Sequence, residues 1–301
     1  MRVLVFGAGA MGSFFGGVLS RRNRVTLVCR KEHADAIRRS GLRITGKTSL
    51  VAHPDVTTTP AGVKRADLVV IATKAYDTES AVKSLRALAK KATWLTLQNG
   101  LDNPDILAKV AKRVVAGATS HGVTFLRPGE IRHAGIGETV IGPYAGLDES
   151  DVVSVRDVFE EAGVRTRISQ DIRRELWLKA IVNAGINPLA ALTRLRNGYF
   201  ASIPALAAAV TAITAEAAAV ARAEGFDIPD RVAADLALRV ARRTRENRAS
   251  MLQDVERGRQ TEIEAITGAI LRGAERRGLR APMNQLVHSL VRGLERSYHV
   301  E

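Results

Sequence analysis

Cysteine is nearly absent from this 301-residue chain: Cys29 stands alone, which excludes an intrachain disulfide and fits a reducing compartment. Because it closes an apolar run, it reads as a small core residue rather than a reactive thiol. Aromatic residues make up 4%, too few for a base-stacking surface. The formal net charge of +14 is spread along the chain without a basic tail. It therefore indicates a surface suited to anionic small molecules, or an arginine-rich solvated one, ahead of a nucleic-acid site. Thr211, Thr214, Glu216 and Arg222 interrupt the alanine-rich stretch 205–223, which reads as a core helix of a soluble domain and not as a membrane span. Gly7, Gly9, Gly12, Gly16 and Gly17 break up the N-terminal apolar run in the same way and argue against a secretory signal. No low-complexity segment or internal repeat stands out. What these absences leave is a folded chain long enough for two domains, expected in the cytoplasm.

The chain opens on a short apolar strand, 2–6, followed at once by Gly7-Ala8-Gly9-Ala10-Met11-Gly12 and a helical run to about Ser20. Strand, GxGxxG and helix in that order form the context that a dinucleotide fingerprint requires. Gly7 permits the tight turn, Gly9 admits a pyrophosphate to the backbone, Gly12 allows helix against strand, and the helix N-terminus faces the phosphates. After a second strand, 24–28, an NAD site usually places an acid; here stand Arg30 and Lys31. A guanidinium there suits a 2′-phosphate, so NADPH is expected over NADH, with NADH the alternative if the two are merely solvated cations. A helix at 32–40 leads to short strands around 43–45 and 49–52. Buried strands at 67–72 and 94–97 deliver Thr73-Lys74 and Gln98-Asn99-Gly100 to their carboxyl ends. Lys74 and Asn99 thus converge on the cofactor cleft, unless they are routine loop residues. A strand at 113–118 and an antiparallel hairpin around Arg127-Pro-Gly-Glu130, expected to close the sheet edge, come before a helix at 151–162 and a strand at 164–168. The expected domains are an α/β cofactor domain, 1–168, and an all-α domain, 169–301, with helices around 171–192, 204–224, 231–244, 262–277 and 283–296.

Lysine is scarce, 10 residues against 35 arginines, and Lys179 is the only one from Ser169 onward. Lys179, Asn183 and Asn187 recur at intervals of four, so a helix stacks them along one stripe while Leu178, Ile181, Val182 and Ile186 cover the rest. Such a stripe on a buried helix needs polar partners. It serves either chemistry, an ammonium able to release its proton, or packing, a lysine snorkelling to the rim beside two asparagines. Downstream, Ser250-Met-Leu-Gln-Asp-Val255 and Gly258-Arg-Gln-Thr-Glu-Ile263 carry the other notable polar residues. Glu262 is a natural partner for Lys179, or else an acid at an ordinary helix start.

Taken together, Gly7-Ala-Gly-Ala-Met-Gly12, Thr73-Lys74-Ala75, Gln98-Asn99-Gly100, Lys179-x3-Asn183-x3-Asn187-Pro188, Ser250-Met-x-Gln-Asp254 and Thr261-Glu262-Ile263 resemble the ketopantoate reductase family across essentially the whole chain. The resemblance implies a Rossmann-like domain followed by a helical domain like that of 6-phosphogluconate dehydrogenase. It implies NADPH-dependent reduction of 2-dehydropantoate (ketopantoate) to (R)-pantoate on the route to pantothenate and coenzyme A. In this chain it makes Lys179 the general acid and Glu262 a carboxylate at the substrate and cofactor. Asn99, Asn183, Asn187 and Ser250 would hold substrate or cofactor, and Lys74 would line the nicotinamide end. The chemistry agrees: hydride addition to a 2-keto carbon leaves charge on the oxygen, and partial burial brings a lysine nearer neutrality as its proton donor. No metal is implied. His33, His53, His288 and His299 lie in polar contexts that read as exposed, and His121 has no evident partner, so each is taken as structural. The enzymatic rival is a related NAD(P)-dependent dehydrogenase for another branched 2-keto or 3-hydroxy acid, and the non-enzymatic one an NADP-binding regulator. The expected partner is the small-molecule substrate, without nucleic acid or membrane; a homodimer is left open.

Overall fold

The structure is a computed structural model describing residues 1–299, with the side chain of His299 outside the described residues. The chain forms two compact units, one of Met1–Gln98 with Asp102–Glu175, the other of Asn99–Leu101 with the chain from Leu176 onward.

In the first unit, strands β1 (Arg2–Phe6) and β2 (Arg24–Val28) flank helix α1 (Ala10–Leu19), and helix α2 (Lys31–Ser40) follows. Strands β3 (Leu42–Gly46), β4 (Leu50–Ala52), β5 (Asp55–Thr57), β6 (Leu68–Ile71) and β7 (Thr93–Thr96) come next, with α3 (Thr78–Ser84) before β7 and α4 (Asn103–Ala108) after it. The unit closes with β8 (Val114–Thr119), β9 (Gly122–Arg127), β10 (Glu130–Gly135), β11 (Thr139–Ala145), α5 (Glu149–Glu161) and β12 (Thr166–Ile168). Eight strands make the main sheet in the order β12-β11-β8-β7-β6-β1-β2-β5. It is parallel apart from the β11–β8 pair. Its central strands β6 and β7 are buried along their whole length, as a sheet covered on both faces requires.

The hairpin β9–β10 does form around Arg127-Pro-Gly-Glu130, but it does not close the edge of the main sheet. It joins a second sheet, β4-β3-β10-β9, in which Ile131 of β10 lies opposite Ile44 of β3. The reason is the apolar surface of α1. Phe14, Phe15 and Val18 pack in one core with Leu42, Ile44, Ala52 and Ile131, so the small sheet covers the helix. Alternation reveals a strand's two faces but not which sheet it joins.

The α/β unit also runs past Ile168. Ser169 N donates to Ile141 O, Arg167 pairs with Glu175 at 2.7 Å, and a Cβ on Gly142 would come within 2.8 Å of Ile172. The start of helix α6 (Ile172–Thr193) is thereby packed on the sheet, and the division falls inside that helix. In the second unit the rest of α6 is followed by α7 (Tyr199–Ser202), α8 (Pro204–Ala223), α9 (Asp230–Arg243), α10 (Ser250–Val255), a π-helical turn at Glu264–Gly268, α11 (Ala269–Arg276) and α12 (Pro282–Arg296). Among the described residues α8 alone is long and apolar enough to cross a membrane. Its Ile213, Ala217, Val220 and Ala221 lie in the helical core with Ala233, Ile270 and Ala274, where small side chains let backbones approach closely. Cys29 is partly exposed, and burial of its thiol pushes the pKa up to about 11, which leaves it unreactive.

His33 is buried rather than exposed, between Ser13 and the hairpin turn. His121 has a partner: its Nδ1 lies 3.0 Å from Nε2 of buried His133, whose Nδ1 contacts Thr48 Oγ1 at 2.9 Å. Burial lowers the pKa of all three histidines, to about 4 for His121, where the charge of His133 adds to the effect. Unfolded histidines take up protons near pH 6.5 while these resist, so the unfolded state binds more protons and stability is lost as pH falls below 6.5. Thermal melting should therefore show a lower Tm at about pH 5 than at about pH 7.5, with asparagine at both His121 and His133 reducing the difference. An equal pH dependence in that variant would contradict the assignment.

Candidate active site

The glycines of the Gly7–Gly12 turn have different jobs. Gly7 adopts φ +98°, its N–H and that of Ala8 donate to Val28 O, and a Cβ there would lie 2.6 Å from Thr73 N. A Cβ on Gly12 would collide with Gly7 O, whereas one on Gly9 would meet nothing within 4 Å. The protein's own packing thus demands glycine at 7 and 12 but leaves open space over Gly9. Next to that space α1 begins at Ala10 with no side-chain cap and no acid in its first turn. The N–H groups of Ala10, Met11 and Gly12 belong to a helix end that attracts anions.

Arg30 caps the start of α2 and is exposed. Lys31, its neighbour, is committed to Asp35 at 2.9 Å, and Asp35 also binds Arg38 at 2.9 Å. Among the described residues no carboxylate pairs with Arg30, so of these two neighbouring cations only Lys31 has an ion-pair partner. Lys74 follows β6 and stands before the short turn Ala75–Asp77. Beneath it, buried Gln98 binds the carbonyl and hydroxyl of Thr73 at 3.0 and 3.2 Å and the hydroxyl of Thr78 at 2.8 Å. Gln98 thereby ties the ends of β6 and β7 together.

In the helical unit α6 carries Lys179, Asn183 and Asn187 on one face, with Asn187 buried and the other two partly exposed. Among the described residues their side chains form no hydrogen bond with the protein, so the stripe retains its capacity to bind. Protein packed around the Lys179 ammonium lowers its pKa to about 8, and the charge of Glu262 opposes that shift. Glu262 is buried at 7% exposure and accepts a hydrogen bond from Asn99 Nδ2 at 3.0 Å. Asn99 reaches it because Gly100, at φ +99°, lies against Ala265, where a Cβ would come within 2.6 Å of the carbonyl. The N–H groups of Ala265 and Ile266 both donate to Glu262 O at the start of the π turn, a rare distortion that concentrates at working sites. Ser250 is exposed at the first position of α10 and forms no hydrogen bond to this group.

One anchor, Glu295, escaped the sequence, and another, Thr261, stood in the Thr261-Glu262-Ile263 motif without a role. Thr261 donates its N–H and its hydroxyl to Glu295 Oε1, each at 2.7 Å, and Arg292 holds the other oxygen at 2.9 Å. Glu295 looks like a surface acid between arginines. Yet it continues the spacing of buried Val287 and Val291 along α12, a signal that was there to be read.

Residues 3–146 match the family model described as ketopantoate reductase PanE/ApbA, and residues 171–295 match ketopantoate reductase PanE/ApbA C terminal. The chain is similar to a 2-dehydropantoate 2-reductase of Halobacterium salinarum, 39% identical over 98% of this chain and 99% of that one. Among solved structures it is similar to a PanE/ApbA family ketopantoate reductase from Ralstonia eutropha, with a TM-score of 0.91 and 35% identity over 99% of both chains. It is also similar to a D-mandelate dehydrogenase solved with NADH and anilino(oxo)acetate, with a TM-score of 0.94 and 26% identity over 100% of both chains.

If Thr261 and Glu295 set the position of Glu262, Thr261→Val should lower stability by about 1–3 kcal/mol, since a buried carboxylate loses a donor. Urea unfolding would show it as a lower midpoint at unchanged slope, largely recovered by Thr261→Ser. An unshifted midpoint for Thr261→Val would dismiss the anchor.

Proposed function

The chain belongs to the ketopantoate reductase PanE/ApbA family, and from that premise we propose that it reduces 2-dehydropantoate to (R)-pantoate with NADPH, for pantothenate and coenzyme A synthesis. Membership makes it an oxidoreductase with a nicotinamide cofactor and a small-molecule substrate. The open surface at Gly9, the uncapped start of α1 and the unpaired Arg30 fit such a cofactor. Gly7, Ala8, Gly9, Ala10, Met11 and Gly12 would hold its pyrophosphate, Arg30 its 2′-phosphate, and Lys74 its nicotinamide end. When bound it supplies the hydride.

Lys179 carries the reading: a lysine with its pKa brought down to about 8, beside a carboxylate, on a stripe whose amides are unused. An ordinary lysine at pKa about 10.4 holds its proton too tightly to be an efficient acid near neutrality. Lys179 donates its proton to the carbonyl oxygen as charge develops there, and Glu262 keeps the ammonium charged until then. Asn99 orients Glu262, while Asn183, Asn187 and Ser250 offer donors to the substrate's carboxylate and hydroxyl. A cytoplasmic setting, without nucleic acid or membrane, goes with this reading. The similarity to D-mandelate dehydrogenase favours one second reading, in which another 2-keto acid is the substrate and NADH the reductant.

Loss of nicotinamide absorbance on mixing enzyme, NADPH and ketopantoate tests the proposal. Turnover should exceed that with phenylglyoxylate, and equal or slower ketopantoate turnover would hand the case to the second reading. Lys179→Ala should reduce kcat by roughly 100-fold or more and leave NADPH binding intact. Because the acid must be protonated, the wild-type rate should fall as pH rises through about 8. Arg30→Ala should weaken NADPH and spare NADH; equal losses of the two would remove Arg30 from the 2′-phosphate.

A further inference from the structure

His33 takes no part in the chemistry above, yet it is buried to 4% exposure and hydrogen-bonded through both ring nitrogens. The N–H of Gly129, in the β9–β10 turn, donates to His33 Nδ1 at 2.9 Å. That nitrogen must be the acceptor, so the ring proton sits on Nε2, which donates to Ser13 Oγ at 3.0 Å. The Ser13 hydroxyl is then free to donate onward, and it does so to Ala8 O at 3.1 Å. Each donor in this chain has one acceptor, and its direction is fixed from the hairpin turn to the Gly7–Gly12 turn.

The two ends matter for different parts of a dinucleotide. Ser13 lies in α1, and Ala8 belongs to the turn that borders the open surface over Gly9. His33 lies in the first turn of α2, whose capping residue is Arg30. The imidazole therefore links the pyrophosphate turn to the element that presents the cation for a 2′-phosphate. Phe125 of the hairpin packs against the ring at a tilt of 54°, with centroids 5.0 Å apart. Burial keeps the ring neutral, as the chain of donors requires, because a proton on Nδ1 would face the Gly129 N–H.

We propose that His33 is a positioning residue that holds the Gly7–Gly12 turn and the Arg30 end of α2 in register for a 2′-phosphorylated dinucleotide. This role presupposes the nicotinamide cofactor site described above. A histidine that merely filled space would be replaceable by an apolar residue without effect on the choice between the two dinucleotides. A positioning histidine would not, since displacing α2 affects the 2′-phosphate more than the pyrophosphate. Glutamine carries an acceptor and a donor at the end of its side chain and can take up both contacts.

The experiment is titration of NADPH and of NADH, separately, into full-length wild type, Ser13→Ala, His33→Leu and His33→Gln, following the reduced nicotinamide's fluorescence, with kcat measured at saturating cofactor. For His33→Leu, NADPH Kd should rise roughly tenfold and NADH Kd by less, with kcat within about twofold of wild type. Ser13→Ala, which removes only a hydroxyl and keeps the protein folded even if His33→Leu fails to fold, should weaken both dinucleotides. His33→Gln should recover most of the NADPH affinity. Unchanged affinities in Ser13→Ala and His33→Leu, or equal losses of both dinucleotides in His33→Leu, would overturn the role while the cofactor reading stands. Wild type that binds neither dinucleotide would overturn both.

Discussion

A lysine ammonium kept short of water beside a buried carboxylate is the constraint on which the helical unit depends. Lowering the Lys179 pKa from 10.5 to about 8 costs the folded state on the order of 3 kcal/mol of charge solvation near neutral pH. Without the charge of Glu262 the cost would be greater and the lysine would lose its proton more readily. Glu262 is itself buried, so it must be held. Asn99 supplies a donor, the π turn gathers two N–H groups onto its carbonyl, and Thr261 before it is fastened to Glu295. Arg292 completes the set by binding Glu295. Each partner answers a need created by the one before it, from the lysine on α6 to an arginine on α12.

In the α/β unit the constraint is the room the backbone leaves for side chains. Gly7 and Gly12 are glycine because neighbouring backbone leaves no room for a Cβ, whereas a Cβ on Gly9 would meet nothing within 4 Å. The second sheet, which covers α1, also brings the hairpin turn to His33. Three histidines of this unit, His33 and His133 buried and His121 partly so, have their pKa lowered by burial and serve as neutral fixtures of the packing.

Much of this was legible in the residues, and the exceptions have physical reasons. The strand, glycine turn and helix at the start of the chain announced themselves because turn, approach and packing all require glycine at set spacings. The four-residue spacing of Lys179, Asn183 and Asn187 put them on one face, but periodicity could not say whether that face served packing or chemistry. The hairpin's alternation was visible, and its sheet was not, because pairing depends on partners distant in sequence. His33 read as exposed because Glu32 and Asp35 surround it, although Ala34 and Ile37 share its burial. Asp55–Thr57, Thr78–Ser84 and Asn103–Ala108 are too short for a period to emerge.

The electrostatic link between Glu262 and Lys179 is central to the proposed chemistry. The most direct test is the pH dependence of ketopantoate reduction by wild type and by Glu262→Gln, which keeps an acceptor for Asn99 and removes the charge. Wild type should lose activity as pH rises through about 8, and the variant should lose it at lower pH, because the charge of Glu262 raises the Lys179 pKa. A limb that stays in place, or moves to higher pH, would contradict the account.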